Sequence, residues 1–486
     1  MKATGVFGFS QVLRILVGLV GSKFIAVFLG TTGIGIIGIL QNTLAIISSI
    51  TSFGINISGV RMVAIAHSNR NQEEFSKTII VLRRWSIASG ILGVLICFFL
   101  AKPLSIWTFG STEYVNWFLV LSINFIFSSL AVEKMVILQA TRSMKAIAIS
   151  SVIYAISVTA VSIPIYYYFR LDGIVAVLIL TTILNYLINW FFAKKIETIP
   201  VQISVSETVL RGVEMIQLGL LLSVNVIIGH FISYLLALYF NFQNESNTVL
   251  GLYVVSSTLL VTYTGMIFTA MSTDFYPRLT NAQDDNLQVK SMVNDQIEIG
   301  LILITPLIIG FYFLAPFIIK LLYSKEFLDV VLILKFALLA VIIKAIMWPL
   351  AFIILAKGEK KLYLQQEIFS HLLNITLTIL LYEYLDLLGI GLATLLNYIL
   401  YSCYVYRVVK NKFQFSFRKN TLEIIFKSVI LGAIASATVV LIDYPYAIWF
   451  LGVLCIASIY LSYAELNKRI NVNEYCRKIK DKWRSK

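Results

Sequence analysis

Charge, cysteine and histidine are all scarce in this sequence, and each scarcity removes a class of protein. Only 13% of its 486 residues are charged while 59% are hydrophobic, giving a mean hydropathy of +0.86, which excludes an ordinary water-soluble domain. The four cysteines (Cys97, Cys403, Cys455 and Cys476) have no metal-ligand spacing, and the three histidines (His67, His230 and His371) are scattered. Reduced structural thiols are expected rather than a zinc site. No Walker loop or nucleotide fingerprint occurs, so neither an internal ATPase nor a cofactor is expected. Acidic residues are few, 25 against 39 basic, for a net charge of +14. In a soluble protein that surplus would suggest a nucleic-acid partner.

What the chain has in abundance is long apolar runs. Fourteen follow one another, near 5–29, 34–60, 85–101, 115–140, 147–169, 173–193, 213–241, 248–273, 297–319, 331–356, 363–382, 388–409, 424–443 and 447–464. Runs of about 17–25 apolar residues cross a bilayer as helices. They are continuous rather than alternating, which disfavours a β-barrel, and helices leave no backbone group facing lipid unpaired. More than two thirds of the 39 basic residues fall in the termini and even-numbered connections, whereas Lys102, Arg170, Lys320 and Lys325 alone occupy odd-numbered ones. That asymmetry predicts cytoplasmic termini, with the connection around Asn244 outside and that around Ser204 inside. The fold class is therefore an all-α polytopic membrane protein of about 14 transmembrane helices. Topology and contact with anionic lipid heads account for the positive surplus, and no nucleic acid is required. The first run, with Arg14 and Lys23 inside it, is too long for a signal sequence and reads as a retained span.

The connection 194–212 carries Pro200 and the polar residues Ser204, Ser206, Glu207 and Thr208, a natural seam after six spans. It divides the chain into an N-terminal lobe, 1–200, and a C-terminal lobe, 201–411, followed by two additional helices, 412–465, and a basic tail, 466–486. From Lys468 onward the tail holds eight basic residues and Trp483, suiting either an amphipathic segment on anionic lipid or a solvated end. A weak repeat supports the lobes. The second span runs from Gly35 to Arg61 and the eighth from Gly251 to Arg278, each opening on glycine and closing on arginine.

Charges inside a bilayer cost a few kcal/mol each by insertion scales and so mark function or pairing. Gln11, Arg14, Gly18 and Gly21 share one face of the first span; Gln41, Ser48, Ser52 and Gly59 form a stripe on the second, with Asn56 at its edge. Glu214, Gln217 and Asn225 share a face of the seventh. Lys344 sits mid-span in the tenth, with Trp348 and Pro349 one turn on. A water-filled cationic cavity built on Arg14 and Lys344 is expected ahead of a plain ion pair with Glu214. Lys23 and Lys335 read as interface anchors, Glu133 and Lys134 as boundary charges.

Three stretches resemble one family. Phe28-Leu29-Gly30-Thr31-Thr32-Gly33-Ile34-Gly35 with Gln41-Asn42, then Asp274-Phe275-Tyr276-Pro277-Arg278-Leu279, then Leu355-Ala356-Lys357-Gly358-Glu359-Lys360-Lys361, are similar to segments of polysaccharide flippases of the O-antigen translocase (Wzx) type. These belong to the multidrug/oligosaccharidyl-lipid/polysaccharide (MOP) exporter superfamily. The resemblance implies two MATE-like six-helix lobes rocking about a central cavity. It also implies a bacterial cytoplasmic-membrane location, and an undecaprenyl-diphosphate-linked oligosaccharide flipped outward on an ion gradient. Twelve spans are usual for that branch, so the last two resemble the extra pair of lipid II flippases, and a peptidoglycan-precursor or other exopolysaccharide-lipid cargo stays open. Within this frame the diphosphate-binding candidates are Arg14, Lys344, Arg61 and Arg278, the cavity lining Gln11, Gln41, Ser48, Ser52, Gln217 and Asn225, and the ion-coupling candidate Glu214. Gly33, Gly35, Asp274, Tyr276 and Pro277 are structural motif positions. The implied partners are the lipid-linked glycan, anionic lipids, and the polysaccharide polymerase and chain-length machinery.

A multidrug–cation antiporter would be favoured by carboxylates rather than cations in the cavity. A polymerase or ligase would display long, charged external loops, and the odd-numbered connections are short. Transport rather than catalysis is expected.

Overall fold

The computed structural model describes residues 2–69, 71–243 and 248–470. The connection at 244–247, with Asn244, and the tail from 471, with Cys476 and Trp483, lie outside the described residues, as does the side chain of Gln11. All regular structure among the described residues is helical: α1 (Lys2–Thr51), α2 (Ile55–Ser68), α3 (Gln72–Phe99), α4 (Ala101–Phe109), α5 (Val115–Leu121), α6 (Asn124–Ala140), α7 (Met144–Phe169), α8 (Gly173–Ala193), α9 (Val205–Gln243), α10 (Thr248–Ser257), α11 (Thr264–Asn281), α12 (Asn286–Leu322), α13 (Val330–Ala356), α14 (Lys360–Phe413), α15 (Lys419–Leu441) and α16 (Tyr444–Ile470). Ten stretches among the described residues are long and apolar enough to cross a membrane. Four of those ten are interrupted: 13–51 at Gly30, 115–140 at the turn 122–123, 144–193 at the short turn 170–172, and 360–413 at Asp386.

Local chemistry fixes these boundaries. Gly30 adopts φ 64°, ψ −167°, a region open essentially to glycine, so the turn expected within 28–35 is made at this one residue. Arg170 donates to the carbonyl of Phe28 at 2.9 Å and so satisfies one of the orphan carbonyls ahead of the break. Gly33, expected to be structural, is held against Leu29, whose Cβ lies 2.3 Å from where a side chain at 33 would begin. Asn71 accepts from the amides of Glu73 and Glu74 to cap α3, and Ser204 accepts from Glu207 to start α9.

The chain packs as two compact units. One comprises 1–254 with 320–327, the other 255–319 with 328–486. Side chains fasten the connection 194–212, where the sequence places a seam, to α3. Arg84 donates to Thr208 Oγ1 at 2.6 Å, Trp85 Nε1 to the carbonyl of Thr208 at 3.0 Å, and Arg211 pairs with Glu74. Helix α9 thus joins α1, α2 and α3 in the first unit. Lys23, expected to reach the lipid interface, instead donates to the carbonyls of Lys320 and Tyr323 at the end of α12. A cation there satisfies carbonyls that have no helical partner. The second span and α10, paired in the sequence repeat, meet directly: a side chain on Gly38 would begin 2.4 Å from Cγ2 of Val254.

In the second unit, the hydroxyl of Tyr312 enters the hydrogen-bond ladder of α13, donating to the carbonyl of Lys335 at 2.9 Å and accepting from the amide of Leu339 at 3.1 Å. Insertions of this kind bend helices. The carboxylate of Glu298, 3% exposed, accepts from Thr421 of α15 and pairs with Arg469 of α16, while Arg418 pairs with Asp295 at 2.6 Å. The two additional helices are therefore clamped to α12 by charge, and Arg469 belongs to this clamp rather than to a free tail.

Gly30→Val should lower the yield and melting temperature of the purified protein, by about 1–3 kcal/mol of strain at a backbone conformation that side chains rarely adopt. Gly18→Ala, at a position with open space around it, should leave both unchanged; thermal unfolding in detergent measures the pair.

Candidate functional site

The site is built from what the helices leave unneutralised. Lys344 lies mid-way along α13, about a dozen residues from either end (330 and 356), too deep for its stem to reach water easily. Its ammonium sits 5.1 Å from the ring centre of Phe268 and 5.7 Å from that of Tyr398, and among the described residues it has no ion-pair partner. Aromatic faces attract a cation without cancelling its charge. The support behind it is an aromatic cluster. Trp348 packs edge-on against Phe268, Phe275 and Phe352 with ring centres 5.4–5.9 Å apart, and Tyr276 packs against Phe352 at 5.5 Å. The Asp-Phe-Tyr-Pro-Arg-Leu motif thus places Phe275 and Leu279 in the core of the second unit.

Arg14, in α1 of the first unit, is half-buried and has no hydrogen-bond or ion-pair partner among the described residues. Beside it Gly18 faces open space, while Gly21 abuts Thr159 of α7. The other two cations differ. Arg61 is exposed on α2, and Arg278 pairs at 2.7 Å with Asp274, one turn back in α11, so its charge is partly spent within the motif. Pro277 is exposed within α11 and Gly35 is buried within α1.

Two cavities are bordered by described residues of the first unit. The larger, about 380 Å³, is bordered by Glu74, Thr78, Arg211 and Glu214 where α3 meets α9. Arg211 is already held there by Glu74 and by Glu207 at 2.9 Å. Glu214 is exposed at the rim of this ion-paired cluster. The smaller cavity, about 260 Å³, opens where α1 gives way to α2. Phe53 (φ 50°) and Gly54 (φ 70°) reverse the chain, and Gly54 lies so close to Gly219 of α9 that a side chain at 54 would begin 2.1 Å from the Gly219 carbonyl oxygen. Ser48, Ser52 and Asn56 of the expected stripe border this cavity, opposite Ser86 and Ser89 of α3 and Ser128 and Ser129 of α6. Gly90 allows the close approach, since a side chain there would begin 3.0 Å from the Cα of Ile126.

The sequence-predicted lining is thus divided. Ser48 and Ser52 share one cavity; Glu214 borders the other; Gln41 and Gln217 are exposed and Asn225 is half-buried, none of them bordering either cavity. Glu133, expected at a boundary, is fully buried in α6, with Lys134 Nζ 2.8 Å and 3.0 Å from its two carboxylate oxygens. Residues missed by sequence reasoning are Ser86, Ser89, Ser128 and Ser129, whose only signal was hydroxyls three or one apart in apolar runs. Glu298 and Glu367 were also missed; the latter accepts from Tyr401 at 2.9 Å.

The order of the helices and the broken spans match the fold of solved membrane transporters. The chain resembles the lipid II flippase MurJ in an inward closed conformation (TM-score 0.69, 16% identity, covering 95% of this chain and 98% of that one). It also resembles a multidrug resistance MATE family transporter in an inward-facing conformation (TM-score 0.64, 14% identity, 82% and 95% covered). No curated protein matches the chain in sequence. Residues 24–332 match the family described as polysaccharide biosynthesis protein, and the chain belongs to that family.

Removing the Glu298 carboxylate should loosen the clamp on α15 and α16. Glu298→Ala should cost roughly 2–4 kcal/mol, because Arg469 and Thr421 lose their buried acceptor. Lys468→Ala, which removes an exposed lysine and leaves its partner Glu465 paired with Lys427, should cost less than about 0.5 kcal/mol. Melting temperatures of the two purified variants check the contrast.

Proposed function

We propose that the protein is a flippase that carries an undecaprenyl-diphosphate-linked oligosaccharide, an O-antigen or similar repeat unit, from the cytoplasmic to the outer leaflet of the bacterial cytoplasmic membrane. The observation that carries this reading is Lys344: a cation deep in a span, cradled by two aromatic rings and left without a carboxylate. A deep positive charge that the fold does not neutralise suits an anionic cargo, and Arg14 supplies a second, with a guanidinium whose geometry matches phosphate. Membership of a polysaccharide biosynthesis family supports a glycan on that anion.

In this reading the broken stretches 13–51, 144–193 and 360–413 each cross twice, the other seven stretches cross once, and α10 with α11 supplies one crossing more, giving fourteen crossings with both termini cytoplasmic, as the distribution of Lys and Arg favours. Two six-helix lobes, 1–200 and 201–411, alternate access to the cargo, and the helices at 412–465 ride on the second lobe through the Glu298 and Asp295 clamp. Arg61 draws the headgroup at the cytoplasmic mouth; Arg278, paired with Asp274, contributes less. Glu214, on the rim of the ion-paired cavity, is the candidate for coupling to an ion gradient. A cation antiporter would place carboxylates where Arg14 and Lys344 stand, and a polymerase or ligase would need reactive residues on long external loops.

Arg14→Ala and Lys344→Ala should each lower flipping roughly 10–100-fold, the loss of one charged hydrogen-bonding partner. Protein level in the membrane should stay normal, and Arg14→Lys should retain part of the activity. The readout is surface polysaccharide and accumulated lipid-linked glycan in a deletion strain carrying each variant. Full activity in the double variant would refute the proposal.

A further inference from the structure

The cavity at the α1–α2 break is bordered by no charged residue, which separates it from the ion-paired cavity between α3 and α9. Ser86 and Ser89 are 3% and 5% exposed, yet their hydroxyls have no hydrogen-bond partner among the described residues. Both border the cavity, as does Ser48, likewise without a partner for its hydroxyl. A serine in an apolar helix usually turns its hydroxyl back on its own helix. Ser128 and Ser129 do that, donating to the carbonyls of Phe125 at 3.2 Å and Ile126 at 2.9 Å. Ser86 and Ser89 do not. They are held open, toward space.

The contents of that space follow from its chemistry. At about 260 Å³ it is many times the ~30 Å³ share of one water and just below the ~300 Å³ at which drug-sized ligand sites begin, so it suits a single ring. With no cation it cannot offset a phosphate, and with no carboxylate it offers a metal ion or ammonium no counter-charge. Hydroxyls donate and accept alike, and the Asn56 amide adds two donors and an acceptor, a set complementary to a ligand that is itself made of hydroxyls. Phe125 supplies an apolar wall for a ring's C–H face. We infer that this cavity is a sugar subsite, which takes one neutral pyranose ring of the cargo and so selects among glycans separately from the cations that hold its diphosphate. The inference rests on the flippase reading and adds to it the part that reads the glycan.

The test uses the purified full chain in lipid nanodiscs and a panel of free hexoses, 6-deoxyhexoses and N-acetylhexosamines, with saturation-transfer NMR as the readout. Wild-type protein should bind at least one member. The Ser86→Ala, Ser89→Ala double variant should bind it roughly tenfold more weakly, two neutral hydrogen bonds lost, with an unchanged melting temperature because the fold makes no use of these hydroxyls. Ser89→Thr should retain part of the affinity. Equal affinity in wild type and double variant would overturn the subsite, as would failure of every sugar to bind wild type. A changed sodium or proton dependence of flipping with sugar binding intact would overturn it too, in favour of a cation or water site. Flipping of a sugar-free polyprenyl diphosphate in vesicles is measured in parallel. Its absence in wild type counts against the flippase reading alone, since sugar binding is read without it.

Discussion

A membrane interior offers no water to solvate a charge, so each ionised side chain there must find a partner within the protein or face a cavity. The rest of this structure is arranged around that constraint. Glu133 takes Lys134, Glu298 takes Arg469 and Thr421, and Asp295 takes Arg418, so these acidic groups serve as fastenings between or within helices. Lys23, with no carboxylate, is spent on the free carbonyls that end α12. Against this background Arg14 and Lys344 have no ion-pair partner among the described residues, and Lys344 is held by rings that position it without quenching it.

The same rule governs the backbone. A helix that stops inside a bilayer exposes polar groups, so a break is helped where something else satisfies them or where glycine permits a tight reversal. Gly30 is capped by Arg170, and the Gly54 break is wedged against Gly219 of α9. At Lys335 and Leu339 the inserted hydroxyl of Tyr312 replaces the helical bond. The break at Gly54 also opens the hydroxyl-lined cavity, which ties the position of a polar pocket to the position of two glycines on different helices.

Much of this was legible in the sequence because hydropathy is local: apolar runs mark crossings, and Arg14 and Lys344 are visible as charges within them. The glycine-rich turn at 28–35 was legible as a turn, although only the backbone conformation identifies Gly30 as the residue that makes it. What escaped is non-local. Lys23 meets carbonyls 297 and 300 residues away, and no pattern near it announces the partner. The connection 194–212 reads as a seam from its polarity, yet Arg84 and Trp85 of α3 bind it into the first unit. Serines are too common for Ser86 and Ser89 to be noticed singly, and they become a site only when α3, α6 and the α1–α2 break converge. The stripe of Ser48 and Ser52 was the visible half of that cavity.

The most direct measurement of anion recognition by unneutralised cations is equilibrium binding of three lipids of one chain length to the purified wild-type protein: a polyprenol, its monophosphate and its diphosphate. The surplus of deep positive charge predicts affinity that rises in that order, and a diphosphate preference that persists in salt, because buried charges are screened far less than exposed ones. Equal affinity for the uncharged polyprenol and the diphosphate would contradict it.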